Sequence, residues 1–159
     1  MHPRKEDKMS VLDTMKFSQV GYIVKDIEAA KAHYASLFGC EVPPTKPCGG
    51  EHVETMYKGQ PAPKAMSKLA FFNLTPGVQL ELIEPNEEMS TWREYLNEKG
   101  EGIHHIAFQV KDMEAVIKAC EAEGMTVVQR GYYNDRSGWY TYMDGYEKFK
   151  CVIELLESF

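Results

Sequence analysis

With 159 residues, 43% hydrophobic and 26% charged, the chain suits one globular domain or two small modules sharing a core. A net charge of −6 argues against a nucleic-acid partner, whose phosphates call for a basic surface. No apolar run approaches the roughly 20 residues of a membrane span, and residues 1–14 lack a secretory apolar stretch and read as a flexible leader.

Taken in order, Phe17 to Lys25 alternates and reads as a strand, and Asp26 is a helix N-cap. The helix carries apolar residues at Ile27, Ala30, Tyr34, Leu37 and Phe38 before Gly39 stops it. Cys40 to Gly50, with Pro43, Pro44, Pro47 and two glycines, reads as irregular. Strands are expected at His52 to Lys58, Met66 to Leu74 and Val78 to Ile83. Ser90 then caps a linking helix that Gly100 ends. Gly102 to Val110 forms the next strand, Asp112 caps a helix to Glu123, and strands follow at Met125 to Gln129, Gly138 to Met143 and Lys150 to Leu156. The four cysteines, Cys40, Cys48, Cys120 and Cys151, show no C-x-x-C spacing and read as bystander thiols of a reducing cytoplasm.

This order is β-α-β-β-β, a helix, and β-α-β-β-β again. Val24-Lys25-Asp26-Ile27-Glu28-Ala29 recurs as Val110-Lys111-Asp112-Met113-Glu114-Ala115, which makes Gln19 the counterpart of His105. Val78-Gln79-Leu80-Glu81-Leu82-Ile83-Glu84 echoes Cys151-Val152-Ile153-Glu154-Leu155-Leu156-Glu157, so Glu81 and Glu154 are counterparts. The division is a single domain over 15–159, with modules at about 15–85 and 101–159 and a helix at about 88–99 between them.

Each half thus offers one polar residue on its first strand and one carboxylate on its last. Leu80 and Leu82, like Ile153 and Leu155, point toward a helix, which leaves Glu81 and Glu154 on the opposite face. Two ionised carboxylates meeting there with Gln19 and His105 repel one another unless a cation joins them. A divalent metal in an N/O site resolves the conflict. Four protein donors on a six-coordinate ion leave two positions for water or substrate. His33 and His52 read as ordinary histidines, and simple alternation sends His104 away from His105 to pack among apolar residues.

At these residues the chain resembles the vicinal oxygen chelate superfamily of glyoxalases, extradiol dioxygenases and bleomycin-resistance proteins. Gly100 to Asp112, Glu81-Leu82-Ile83-Glu84-Pro85 and Val152-Ile153-Glu154-Leu155 are most similar to the methylmalonyl-CoA epimerase family. The resemblance implies an α+β fold of tandem βαβββ modules forming a cup-shaped mixed sheet around a divalent ion (Co, Zn, Mn or Ni). It puts the metal positions on Gln19, Glu81, His105 and Glu154. It implies an isomerase that abstracts a proton next to a metal-bound carbonyl, with Glu154 as ligand and base and Glu54, or more weakly Glu51, as second base. Epimerases of this kind generally have His where this chain has Gln19. The Gln, Glu, His, Glu set is instead similar to some glyoxalase I (lactoylglutathione lyase) enzymes, which stand as the alternative, with a non-catalytic binding module of the bleomycin-resistance type as a second. The implied partner is an acyl-CoA thioester, with Lys58, Lys64, Lys68, Arg130 and Arg136 available to its phosphates. Tyr132, Tyr133, Trp139, Tyr140 and Tyr142 are expected as pocket wall or as core and dimer packing, and Asn134 to Gly138 as a turn able to close over substrate. A cytoplasmic homodimer that binds neither nucleic acid nor membrane completes the expectation.

Overall fold

The computed structural model describes residues 14–159; all of the expected leader but Thr14 lies outside them. The first half contains β1 (Met15–Ile23), α1 (Ile27–Phe38), β2 (Lys46–Gly49), the two-residue strands β3 (Met56–Tyr57) and β4 (Gln60–Pro61), β5 (Met66–Thr75) and β6 (Val78–Pro85). After α2 (Thr91–Lys99) come β7 (Gly102–Val110), α3 (Met113–Ala122), β8 (Thr126–Tyr132), β9 (Gly138–Asp144), α4 (Tyr146–Phe149) and β10 (Val152–Ser158). The helices begin where their caps predict: Asp26, Ser90 and Asp112 each accept the backbone N–H three residues on.

All ten strands form one mixed sheet in the order β2-β5-β6-β1-β7-β10-β9-β8-β3-β4. Its first eight strands are palindromic. In each half the first strand lies parallel to the last, and the halves join through antiparallel β1 and β7. This is the cup-shaped sheet of tandem βαβββ modules. Apolar residues on the outer face pack under the helices: Ile27, Ala35, Phe72 and Leu82 at α1, and Val110, Met113, Ile117 and Leu155 at α3. Trp92 of α2 joins Tyr140, Tyr142, Ile23 and Ile83 in a third cluster.

Two expectations about the first half are corrected. The strand belongs at Lys46–Gly49, inside the stretch read as irregular, and of His52 to Lys58 only Met56–Tyr57 is strand. Pro47 is tolerated because β2 is an edge strand pairing only with β5, so its missing N–H breaks no internal ladder. Glu51–Val53 is a 3-10 turn that ends with Glu54 in the left-handed region at φ 52°.

The junction of β1 and β7 carries two bulges. Register passes from Phe17↔Phe108 to Gln19↔Ala107, which leaves Ser18 extra, and from Gly21↔His105 to Tyr22↔Ile103, which leaves His104 extra. Ser18 and His104 are themselves repeat counterparts. Each bulge sits immediately before a polar residue aimed into the cup and re-aims it.

Candidate metal centre

Four adjacent strands deliver four polar side chains to one point. Gln19 lies on β1, Glu81 on β6, His105 on β7 and Glu154 on β10. Register fixes their convergence: Gly21 pairs with both Glu81 and His105, while Ala107 pairs with both Gln19 and Glu154. The small residues leave room for the large ones. A Cβ on Gly21 would lie 2.0 Å from His105 Cε1, so the imidazole occupies the space a side chain would need.

All four side chains are buried, with His105 fully enclosed. His105 Nε2 stands 3.0 Å from Glu154 Oε2 and 3.2 Å from Glu81 Oε2. The inward atom of the Gln19 amide lies 3.0 Å from His105 Nε2, 3.0 Å from Glu154 Oε2 and 3.1 Å from Glu81 Oε2. Amide oxygen and nitrogen are exchangeable by rotation. The nitrogen in this place donates to the carboxylates, whereas the oxygen there serves a cation.

Burial raises the pKa of Glu81, against a hydrogen bond and charge from His105 that lower it and the Glu154 charge that raises it further. Burial pulls the His105 imidazolium down, but the charge of Glu154 and the hydrogen bonds that His105 donates to Glu154 and Glu81 outweigh it and raise the pKa to about 9. Without a metal, the imidazolium is the cation that holds the two carboxylates together.

The donor set fits a divalent ion. One atom each from Glu81, His105 and Glu154 falls within a 4.8 Å span. Gaps of 3.0–3.2 Å to His105 Nε2 match the edge of an octahedron with bonds of about 2.1 Å, which is about 3.0 Å. Imidazole, carboxylate and amide oxygen are donors that zinc and its first-row neighbours accept.

The centre opens into a cavity of about 540 Å³. Tyr133, Tyr140, Tyr142 and Trp92 wall it, and Asn134, Asp135 and Ser137 of the β8–β9 turn border it. Tyr132 and Trp139 stack on each other outside this wall, beside Phe159, so the aromatic run divides between the two faces of the sheet. Lys46, Cys48, Gln79 and Gln109 also line the cavity, and sequence reasoning alone does not find them. The alternation of Gln79 with Glu81 carries a signal for the amide, but Lys46 and Cys48 are hidden in the Pro-rich stretch. Burial raises the Cys48 thiol well above its ordinary range, with the charges of Glu81 and Glu154 adding to the effect.

Glu54, expected as second base, does not line this cavity. Its left-handed turn carries the side chain to Arg136, 3.5 Å away, beside a separate cavity bordered by Glu51, Arg130 and Trp139. Of the cations expected to serve phosphates, Lys58 pairs with Glu94, Lys68 with Glu84 and Arg130 with Glu114. Lys46 is the lysine at the cavity.

Residues 18–143 match the Glyoxalase/Bleomycin resistance protein/Dioxygenase superfamily. The chain belongs to this superfamily. No curated protein matches it. Among solved structures, a Streptomyces coelicolor methylmalonyl-CoA epimerase variant in complex with 2-nitronate-propionyl-CoA shares 24% identity, with a TM-score of 0.63 over 91% of this chain and 98% of that one. The Mycobacterium tuberculosis methylmalonyl-CoA epimerase aligns at 20% identity and TM-score 0.59, over 90% and 87% of the two chains. A hypothetical protein from Bacillus halodurans C-125 aligns at 23% and 0.60, over 91% and 95%. These similarities, all under 25% identity, support the fold alone. Among the described residues no helix is long and apolar enough to cross a membrane.

Proposed function

We propose that this chain is a divalent-metal-dependent isomerase that removes a proton next to a carbonyl, with methylmalonyl-CoA or a related acyl-CoA thioester as substrate. The observation that carries the reading is the pair of repeat-related carboxylates, Glu81 and Glu154, buried beside His105 and Gln19 at the floor of a cavity walled in part by Trp92, Tyr140 and Tyr142. Gln19, Glu81, His105 and Glu154 would hold the ion. When bound, a divalent cation supplies Lewis acidity that stabilises negative charge developing on a carbonyl oxygen.

The protein's own groups do the rest. Glu154 Oε2, buried at the cavity floor, takes the proton from the carbon. Inversion requires a second group on the other face of the carbon. Glu54 lies outside this cavity, and Glu81, the counterpart of Glu154 across the β1–β7 junction, is a second carboxyl group lining it. Trp92, Tyr140 and Tyr142 exclude water from the exchanging proton. Lys46 is suited to an anionic group at the mouth. A homodimer is part of the proposal, to be checked by light scattering.

A glyoxalase I-like activity is the second reading, favoured by the amide of Gln19 on the first strand. Both readings share proton abstraction and differ in substrate. The test is solvent deuterium wash-in at the α-carbon of methylmalonyl-CoA, run beside conversion of a glutathione hemithioacetal. Metal-dependent wash-in supports the epimerase. Turnover of the hemithioacetal alone replaces it with the second reading. No reaction with either substrate in metal-loaded protein removes both and leaves a binding module.

A further inference from the structure

The histidine next to the candidate ligand is built into the centre rather than into the apolar layer. Alternation along a strand sends neighbouring side chains to opposite faces. The bulge that leaves His104 unpaired cancels that rule and swings its ring against the ring of His105, at 5.2 Å between centroids and 88° between planes. Their Nδ1 atoms stand 3.0 Å apart. Both rings are fully buried.

A contact between two Nδ1 atoms needs a hydrogen on one of them. If His104 carries it, neutral His105 has its hydrogen on Nε2, aimed at Glu81 and Glu154 where a cation would sit. If His105 carries it, Nε2 offers a lone pair to that position. Only the second arrangement permits metal binding through Nε2, the atom within 3.2 Å of both carboxylates. His104 must then accept at Nδ1 and carry its own hydrogen on Nε2. A partner for that hydrogen is present: Thr91 Oγ1 lies 3.0 Å from His104 Nε2.

We propose that His104 is a positioning residue for the metal centre. Its Nδ1 accepts from His105 Nδ1–H and so selects His105 Nε2 as the donor atom. The inference rests on reading Gln19, Glu81, His105 and Glu154 as metal ligands. The buttress extends outward from His104. Thr91 opens α2 next to the Ser90 cap, and its N–H donates to Gln129 Oε1 on β8 at 2.9 Å. Tyr95 and Tyr142 pack against the His104 ring with centroids 5.3 and 5.2 Å away, so it cannot turn to present another edge. The linking helix thereby acts on the centre from behind. Outer partners of this kind set the tautomer and orientation of a ligating imidazole.

The test uses the whole chain, with Zn²⁺ as probe, in two measurements. Imidazole ¹⁵N shifts of the Zn²⁺-loaded wild-type protein should show hydrogen on His104 Nε2 and His105 Nδ1, and bare nitrogen at His104 Nδ1. Competition against a chromophoric chelator should show His104→Leu losing about 10- to 100-fold in Zn²⁺ affinity. His104→Asn, which can place an amide oxygen near the lost Nδ1, should recover most of that loss. A hydrogen on His104 Nδ1, or a folded His104→Leu with wild-type affinity, overturns the inference while the metal centre stands. Wild-type protein that takes up no Zn²⁺ overturns the centre, and this inference with it. If His104→Leu does not fold, the wild-type nitrogen shifts decide alone.

Discussion

Gly21→Ala separates packing from backbone strain at the centre. Gly21 sits in β1 opposite His105, and its φ lies outside the left-handed region, so alanine meets no dihedral penalty there. The penalty is steric. The added methyl would lie 2.0 Å from His105 Cε1 and 2.4 Å from both ring nitrogens, where ordinary carbon contacts need about 3.5 Å. Relief requires the ring to move by about 1.5 Å, several times the roughly 0.2 Å tolerance of a metal–ligand distance. Overpacking of this kind costs about 1–3 kcal/mol, which for a chain of this length lowers Tm by roughly 2–4 °C per kcal/mol. Calorimetry of the metal-free protein should therefore find a modest fall in Tm. Zn²⁺ affinity should fall by at least about 100-fold, because the substitution displaces a ligand itself and not merely a neighbour that supports one. Gly39→Ala is the control: its φ of 66° makes alanine strained, yet nothing lies within 4 Å, so stability falls and Zn²⁺ affinity does not. Wild-type Zn²⁺ affinity in Gly21→Ala would refute the packing argument.

Glu154→Gln should lower proton exchange by at least about 100-fold, since the base is gone; near-normal exchange in this variant would exclude Glu154 as the base. Glu54→Gln should leave exchange unchanged, because that carboxylate faces Arg136 outside the cavity, and a large loss would return it to the site. Metal affinity should rise with pH. His105, with its pKa raised to about 9 in the metal-free centre, must surrender a proton for each ion bound, so the apparent Kd should fall about tenfold per pH unit from pH 7 to 9 and level off above. Titration calorimetry in buffers of different ionisation enthalpy should find about one proton released per ion at pH 7.5, and release of none would disprove a protonated His105 in the metal-free centre.

The helices and the duplicated plan are legible in the sequence because their causes are local. Asp26, Ser90 and Asp112 cap helices through bonds spanning three residues, and the Glu81 and Glu154 strands alternate cleanly. What escapes depends on partners distant in sequence. Lys46–Gly49 is a strand because β5 pairs with it, and Pro47 reads as a breaker only while its place at the sheet edge is unknown. Glu54 resembles a strand residue because Met56, Tyr57 and Val53 surround it, whereas a 3-10 turn and a left-handed residue set its direction. Lys46 and Cys48 escape for the same reason as their strand.

The bulges are the deeper omission, and they explain how the two halves differ. Ser18 and His104 occupy equivalent extra positions, each preceding an inward polar residue. Before the amide of Gln19 stands a serine whose hydroxyl donates to the backbone oxygen of Ala107, across the junction, and makes no bond to Gln19. Before the imidazole of His105 stands a second imidazole bonded to it. The contrast follows from the chemistry of the two donors. An amide offers its oxygen to a cation by rotation alone, so its neighbour need only hold the bulge closed. An imidazole offers a given nitrogen only when its hydrogen is kept on the other one, so its neighbour must accept that hydrogen. Exchanging Gln19 for histidine without changing Ser18 should therefore leave the new imidazole without a partner for its second nitrogen. Gln19→His should bind Zn²⁺ more weakly than Gln19→His combined with Ser18→His, if both fold. Equal affinity in the single and double variants would mean that the neighbouring residue does not govern the ligand.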